Sequence, residues 1–271
     1  MGGCIFLIAV PLFSALGAFL TEGRPSSTFI FLLLFSLANG FIGLLDDGTK
    51  FKNKKNQGLL PWQKLFLQTI FIGAFLYLLL RFGEGEYTVA LPFVRFDLAW
   101  GLPLLFFFFV TILGAVNCAN LSDGIDGLTA SSSLVIGAFL TVEGFLLSKG
   151  ELAFVGIALC GTMLGFLLFN KHPAKIFMGD TGSLFLGALT AGAAFLTSNP
   201  VVFPIYTFLF LLEGGSVILQ VFVFKRTGKR LFRMAPLHHH LEKCGWSENR
   251  IVFVFSLITL IACLFAHLAL R

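Results

Sequence analysis

Charge is what this 271-residue chain has least of: 12% of its residues are Asp, Glu, Lys or Arg, against 57% hydrophobic residues and a mean hydropathy of +0.91. That is too little polar surface to cover a soluble globule, which excludes a soluble enzyme and leaves an all-α polytopic membrane protein. Cysteine is sparse as well. The five present, Cys4, Cys118, Cys160, Cys244 and Cys263, are scattered with no C-x-x-C spacing, so neither a disulfide framework nor a zinc knuckle is expected and they read as packing residues. No internal repeat occurs, and apart from an excess of phenylalanine, 35 in all, no low-complexity tract. Met1-Gly2-Gly3-Cys4 opens directly into apolar sequence without a basic n-region or a small-residue cleavage site, so the segment reads as an integral helix rather than a signal peptide.

What is there is a series of apolar runs. About nine of them approach the roughly 17 to 25 residues that cross a bilayer as helix, at about 2–20, 27–45, 65–80, 98–116, 128–147, 152–169, 183–197, 201–224 and 251–269. The loops after even-numbered runs carry Lys50, Lys52, Lys54, Lys55, Lys64, Lys171, Lys175, Lys225, Arg226, Lys229, Arg230, Arg233, Lys243 and Arg250, against only Arg24, Arg81, Arg95, Lys149 and Arg271 on the other side. The positive-inside rule therefore puts the even loops in the cytoplasm. The net charge of +5 is concentrated on that face, where it suits anionic head groups and phosphorylated substrates. On the opposite side, Tyr87–Val89 and Phe93–Phe96 around Leu91-Pro92 read as a short external β-hairpin. The whole chain, 1–271, reads as one membrane domain.

Carboxylates at membrane depth are rare and default to a functional reading. Here they cluster with glycine in three even loops: Asp46-Asp47-Gly48, Asn120-Leu121-Ser122-Asp123-Gly124-Ile125-Asp126-Gly127, and Phe177-Met178-Gly179-Asp180-Thr181-Gly182-Ser183. A fourth polar stretch, Pro236-Leu237-His238-His239-His240, falls on the same side. A transporter would place its ionisable groups along a path near the midplane, whereas only Glu143 and Glu213 lie within the apolar runs.

Each cluster suggests a chemistry and has a plainer alternative. Asp46 and Asp47 repel one another, so one can keep a raised pKa and act as a general base, while Lys50 and Lys54 offer point charges to phosphate; the plain reading is a solvated helix end with a lysine run. Asn117, Asn120, Asp123 and Asp126 recur every third residue and would share one polar edge of a tight helix, or else merely cap two helices. Asp180 precedes an apolar run, where a helix N-terminus favours anions and a carboxylate can hold Mg²⁺, or can simply be an N-cap. Asn170 and Phe177 offer an amide and a ring face for a base. Three adjacent histidines do not share a helix face and make a poor zinc cage; they serve better as donors near a diphosphate, or as an interfacial loop. Glu213, Ser216 and Gln220 fall on one helix face and either extend the polar cavity or form an interhelical seam.

These four motifs, Asp46-Asp47-x-x-Lys50, Asn120-Leu121-x-Asp123-Gly124-x-Asp126-Gly127-Leu128, Phe177-Met178-Gly179-Asp180-x-Gly182-Ser183 and Ala235-Pro236-Leu237-His238-His239-His240, resemble in content and order the signatures of the polyprenyl-phosphate N-acetylhexosamine-1-phosphate transferases. The triple histidine with Leu241-Glu242, and Ser216 to Val221 upstream, resemble the phospho-N-acetylmuramoyl-pentapeptide transferase branch. The resemblance implies that undecaprenyl phosphate attacks the sugar-linked phosphate of UDP-N-acetylmuramoyl-pentapeptide, giving lipid I and UMP, with Mg²⁺ required. By position it implies Asp180 as metal ligand and Asp46 as base. Asp47, Lys50, Lys54 and Lys64 would line the phosphate region. Asn117, Asn120, Asp123, Asp126, Asn170, Phe177 and Gln220 would form the nucleotide site, with Phe177 stacked on uracil, and His238, His239 and His240 would contact the donor.

It also implies a homodimer in the bacterial cytoplasmic membrane, with no nucleic-acid partner, and ten spans with both termini outside. Met1-Gly2-Gly3 resembles a Thr-Met-Gly-Gly stretch of the family's second span, so the first helix is expected to be missing. Direct displacement fits the lysines and metal, and an aspartyl intermediate at Asp46 or Asp47 is the other route. The competing readings are another hexosamine-1-phosphate transferase, distinguished by donor competition; a truncated, non-catalytic cell-wall scaffold; and a transporter, distinguished by counterflow without UMP release.

Overall fold

The computed structural model describes residues 2–53, 58–84, 89–91, 94–96 and 101–271. Its helices are α1 (Cys4–Glu22), α2 (Ser27–Asn53), α3 (Pro61–Phe82), α4 (Leu102–Ser122), α5 (Leu128–Leu146), α6 (Gly150–Asn170), α7 (Gly179–Ala193), α8 (Phe203–Tyr206), α9 (Phe208–Thr227), α10 (Leu237–Lys243) and α11 (Glu248–Ala269). Two three-residue strands, β1 (Val89–Leu91) and β2 (Val94–Phe96), pair antiparallel with Ala90 opposite Arg95. Lys54, Tyr87, Thr88, Pro92 and Phe93 lie outside the described residues.

Among the described residues, eight helices are long and apolar enough to cross a membrane: α1 to α6, α9 and α11. Large apolar side chains such as Ile8, Leu20, Phe106, Ile218 and Phe253 stand exposed, as lipid-facing surfaces require. Several serines and threonines inside these helices return their hydroxyls to the preceding turn, as Ser36 does to the Leu32 carbonyl at 2.8 Å and Thr259 to Phe255 at 2.9 Å. No polar group is thereby left facing hydrocarbon without a partner at those positions.

The run expected at 183–197 is different. It forms α7, 15 residues long, continued by one 3₁₀ turn at Ala194–Thr197, and every residue from Thr181 to Thr197 is buried. At about 1.5 Å per residue, α7 is shorter than a bilayer core. It is the hub of the bundle, packed chiefly against α2 and α4, and its Ala and Gly content lets them approach closely. At Gly43 of α2 a β-carbon would lie 2.2 Å from the Asp180 carbonyl oxygen and 2.5 Å from the Thr181 nitrogen. Phe35, Phe75, Phe195 and Phe108 continue the core with ring centroids 4.5, 5.5 and 5.3 Å apart in turn.

The run expected at 201–224 is divided into a 3₁₀ turn, α8 and α9, and three further boundaries that differ from the sequence expectation move site residues. α2 runs on to Asn53, so Asp46, Asp47 and Lys50 sit within the helix rather than in a loop. α3 begins at Pro61, whose fixed φ and missing N–H suit a first turn, and this places Lys64 on the helix. α4 extends to Ser122 and carries Asn117 and Asn120.

Candidate active site

The ends of α2, α3, α4 and α7 converge. α2 supplies Asp46, Asp47 and Lys50, α3 supplies Lys64, α4 supplies Asn120, and Asp180 stands in the first turn of α7. Asp46 has no exposed surface and Asp47 is nearly buried, so both need partners. Lys50 Nζ lies 2.6 Å from Asp46 Oδ2 and 3.3 Å from Asp180 Oδ2; Lys64 Nζ lies 3.0 and 2.5 Å from the same two atoms. Two ammonium groups thus bridge two carboxylates from different helices.

The three aspartates differ in what holds them. Asp46 Oδ1 accepts the Leu59 N–H at 2.7 Å, while Oδ2 receives no well-directed hydrogen bond, only the close charge of the two lysines. Asp47 turns to α7: its Oδ1 accepts the Asp180 N–H at 3.3 Å, and its Oδ2 accepts the Thr181 N–H at 3.0 Å and the Thr181 hydroxyl at 2.7 Å. A carboxylate from α2 thus caps the positive end of α7. Gly179, with φ of +71°, makes the left-handed turn that allows this, and a β-carbon there would lie 2.6 Å from Asp47 Oδ2.

Asp180 Oδ1 accepts from Asn120 Nδ2 at 3.0 Å, and the same amide reaches Ser183 Oγ at 2.8 Å. Burial opposes charge on Asp180, but hydrogen bonds from Lys64 and Asn120 and the Lys64 charge outweigh it and hold its carboxyl below the ordinary range. Asp123, just beyond the end of α4, is the opposite case: burial, with the charges of Asp180 and Asp47, pushes its pKa up to about 7.

Carboxylate oxygens of Asp46, Asp47 and Asp180 lie within 4.8 Å of one another. Hard oxygen donors at that spacing, one of them the buried and poorly satisfied Asp46 Oδ2, fit a divalent cation such as Mg²⁺. Beside them opens a cleft of about 270 Å³ lined by Asn120, Asp123, Asp126, Asn170, Phe177 and Asp180. The Phe177 ring, 67% exposed, leaves a face free at its wall.

Other expected site residues take separate places. The three-residue period from Asn117 to Asp126 does not make one polar edge, because the helix ends at Ser122. Asn117 donates to Gln68 Oε1 on α3 at 2.9 Å, one turn below Lys64. Asp126 Oδ2 meets His172 Nδ1 at 3.1 Å and accepts the Ala174 N–H at 2.9 Å, and Glu248 Oε1 lies 3.3 Å from the same ring nitrogen. Asn170 braces backbone, accepting from Gly127 N–H at 3.2 Å and donating to the Ile176 carbonyl at 2.9 Å. Gln220 is engaged by the basic loop, accepting from the N–H groups of Leu231 and Phe232 at 3.0 and 2.9 Å and donating to Phe232 O at 3.1 Å.

The three histidines diverge along α10. His238 is wholly buried, with Nδ1 3.1 Å from Glu213 Oε2; His239 pairs with Glu242 at 2.5 Å; His240 Nδ1 accepts the Arg233 N–H at 3.1 Å. Of Glu213 and Ser216, open to either reading in sequence, Glu213 joins α9 to His238 of α10, while the Ser216 hydroxyl returns to the Glu213 carbonyl within α9 at 2.6 Å. Sequence reasoning passed over His172, Glu248, Gln68 and Thr181. Only Thr181 carried a signal, as part of a motif already singled out.

A family model described as Glycosyl transferase family 4 matches residues 29–198. A phospho-N-acetylmuramoyl-pentapeptide-transferase of Clostridium perfringens is 39% identical over 273 residues, covering 100% of this chain and 83% of its own length. Its counterpart in Clostridium beijerinckii is 42% identical over 272 residues, with 100% and 82% covered, and that of Clostridium acetobutylicum 41% over 278 residues, with 100% and 84% covered. Relatives at this identity over the full chain, together with Asp46, Asp47, Asn120 and Asp180 of the first three motifs gathered at one point, leave a single assignment: the chain belongs to glycosyl transferase family 4 and, within it, to the phospho-N-acetylmuramoyl-pentapeptide transferases.

Proposed function

We propose that the protein transfers phospho-N-acetylmuramoyl-pentapeptide from its UDP-linked form to undecaprenyl phosphate, forming lipid I and UMP. The observation that carries this is the Asp46–Lys50–Lys64–Asp180 cluster, set beside a polar cleft with an open phenylalanine face. Phosphoryl transfer asks a protein mainly to position two anions and offset their charge. Lys50 and Lys64, with Lys54 nearby in sequence, hold phosphate oxygens against their mutual repulsion. Asp46 takes the proton from the lipid phosphate, whose oxygen attacks the sugar-linked phosphorus while the bond to UMP breaks. Asp47 keeps α7 in place beneath the reacting groups, and Asn120 aims Asp180. Bound at Asp180, Mg²⁺ would neutralise charge on the transferring phosphate.

The cleft takes the nucleotide, with Phe177 stacking on the base and Asp123, Asp126 and Asn170 shaping the wall. A direct displacement needs no covalent aspartyl intermediate. The 271 residues act as one transferase domain and as a homodimer, in the bacterial cytoplasmic membrane. Lysine and arginine placement supports a cytoplasmic active-site face.

Donor identity is tested by following UMP release from detergent-purified protein with undecaprenyl phosphate, Mg²⁺ and either UDP-N-acetylmuramoyl-pentapeptide or UDP-N-acetylglucosamine. Release with the first, undiminished by excess of the second, is expected. Turnover of UDP-N-acetylglucosamine in preference would transfer the protein to another hexosamine-1-phosphate branch.

A further inference from the structure

Glu213 is a carboxylate in the second turn of the apolar helix α9 with no exposed surface, and the transfer reaction does not use it. Its two oxygens meet one residue: Oε1 accepts the His238 backbone N–H at 3.2 Å, and Oε2 lies 3.1 Å from His238 Nδ1. A carboxylate facing a ring nitrogen accepts, so Nδ1 carries its proton toward Glu213, and Nε2 becomes the atom presented elsewhere. His238 Nε2 is buried and has no hydrogen-bond partner. A buried polar atom in that state is costly unless something completes it.

What Nε2 faces is the cleft-lining turn. A β-carbon built on Gly124 would lie 2.2 Å from Nε2, closer than to any other atom. Gly124 does not have a positive φ, so its lack of a side chain answers to this ring and not to backbone conformation. Gly124 itself lines the cleft beside Asp123 and Asp180. The imidazole thus stands directly behind a glycine window in the wall of the cleft, held from behind by a carboxylate.

We propose that Glu213 is a positioning residue for the phosphosugar donor: it fixes the tautomer and aim of His238, whose Nε2 hydrogen-bonds the donor across the Gly124 window. The inference rests on the transferase reading above. Its logic is that of a carboxylate orienting a histidine in hydrolytic triads, where the amide isostere preserves shape but imposes the wrong tautomer.

Glu213→Gln is the decisive variant. Its amide oxygen can still accept the His238 backbone N–H, but the –NH₂ group now faces Nδ1, which must become an acceptor and so exchanges the character of Nε2. Expected are a thermal midpoint close to wild type and a fall of about 10- to 100-fold in kcat/KM for the UDP-linked donor, the range that follows misplacement of a reacting group. KM for undecaprenyl phosphate should not move. His238→Ala should show a similar fall, and the double variant Glu213→Gln/His238→Ala should be no worse than His238→Ala alone, because the two act as a unit. Gly124→Ala, which fills the window, should also lose donor kcat/KM.

Wild-type donor kinetics in Glu213→Gln, losses that multiply in the double variant, or a loss that merely follows a lowered thermal midpoint would each overturn the proposal. Wild-type protein without turnover would sink the transferase reading instead. The dyad is then read from the thermal shift given by UMP, which Glu213→Gln should diminish and which, left unchanged, would overturn it.

Discussion

Asp123 is the carboxyl whose surroundings most disfavour charge, with a pKa pushed up to about 7 by burial and by the nearby Asp180 and Asp47. Because the folded state holds this proton more tightly than the unfolded chain, it binds more protons between about pH 4 and 7, and stability must fall as pH rises through that window. Thermal unfolding of the cation-free protein in detergent should therefore show a component of stability lost over that range, and Asp123→Asn should remove the slope. A slope unchanged in that variant would place the titration elsewhere. Residues of this kind were partly legible in the sequence: Asp46, Asp123 and Asp180 announce themselves because carboxylates are so rare in apolar sequence. Their partners did not. His172, just past α6, and Glu248, at the start of α11, converge on Asp126 from positions distant in sequence, where an ordinary His or Glu carries no local signal. Gln220 fell on the same helical face as Glu213, yet its amide is consumed by the backbone at 231–232, a fold of the basic loop that helical spacing cannot foresee.

At the scale of elements, α7 is the piece on which the site depends. Its N-terminal turn is trapped between the Asp47 carboxylate and Gly43 of α2. Gly43→Ala would drive a methyl group into the Asp180–Thr181 peptide, and neither helix backbone can yield cheaply. The expected result is a loss of about 1–3 kcal/mol, typical of overpacking, read as a lower thermal midpoint, together with a larger loss of turnover because Asp180 rides on that peptide. Turnover retained at the wild-type level would mean that the α2–α7 contact does not set the geometry. Among the described residues, the apolar runs overlapped each of the eight helices long and apolar enough to cross a membrane, since hydropathy reports directly on lipid exposure. What it could not distinguish is a helix surrounded by lipid from one surrounded by other helices, so the buried α7 looked like another span. Polar helix ends misled in the other direction. Asp46, Asp47, Asn117 and Asn120 looked like loop residues, whereas the helices carry them on and pair them with one another's side chains.

For the whole molecule, the bundle brings polar groups from four helix ends to one place: cations from α2 and α3, a carboxylate on α7 whose first turn is capped from α2, and an amide on α4. The order of the motifs along the chain made the family legible, and the second and third of them line one cleft beside the carboxylates of the first. Their mutual distances came only from how α2, α4 and α7 pack. We infer that Asp180, held by Lys50, Lys64 and Asn120, organises the transferring phosphate. UMP release by wild type and Asp180→Asn, titrated with Mg²⁺ from a chelated start with folding followed in parallel, tests this. Turnover should rise with Mg²⁺ in the wild type and fall by about 10²- to 10³-fold in the variant, the scale of removing one charge-stabilising group, with folding retained. Wild-type turnover in Asp180→Asn would contradict it.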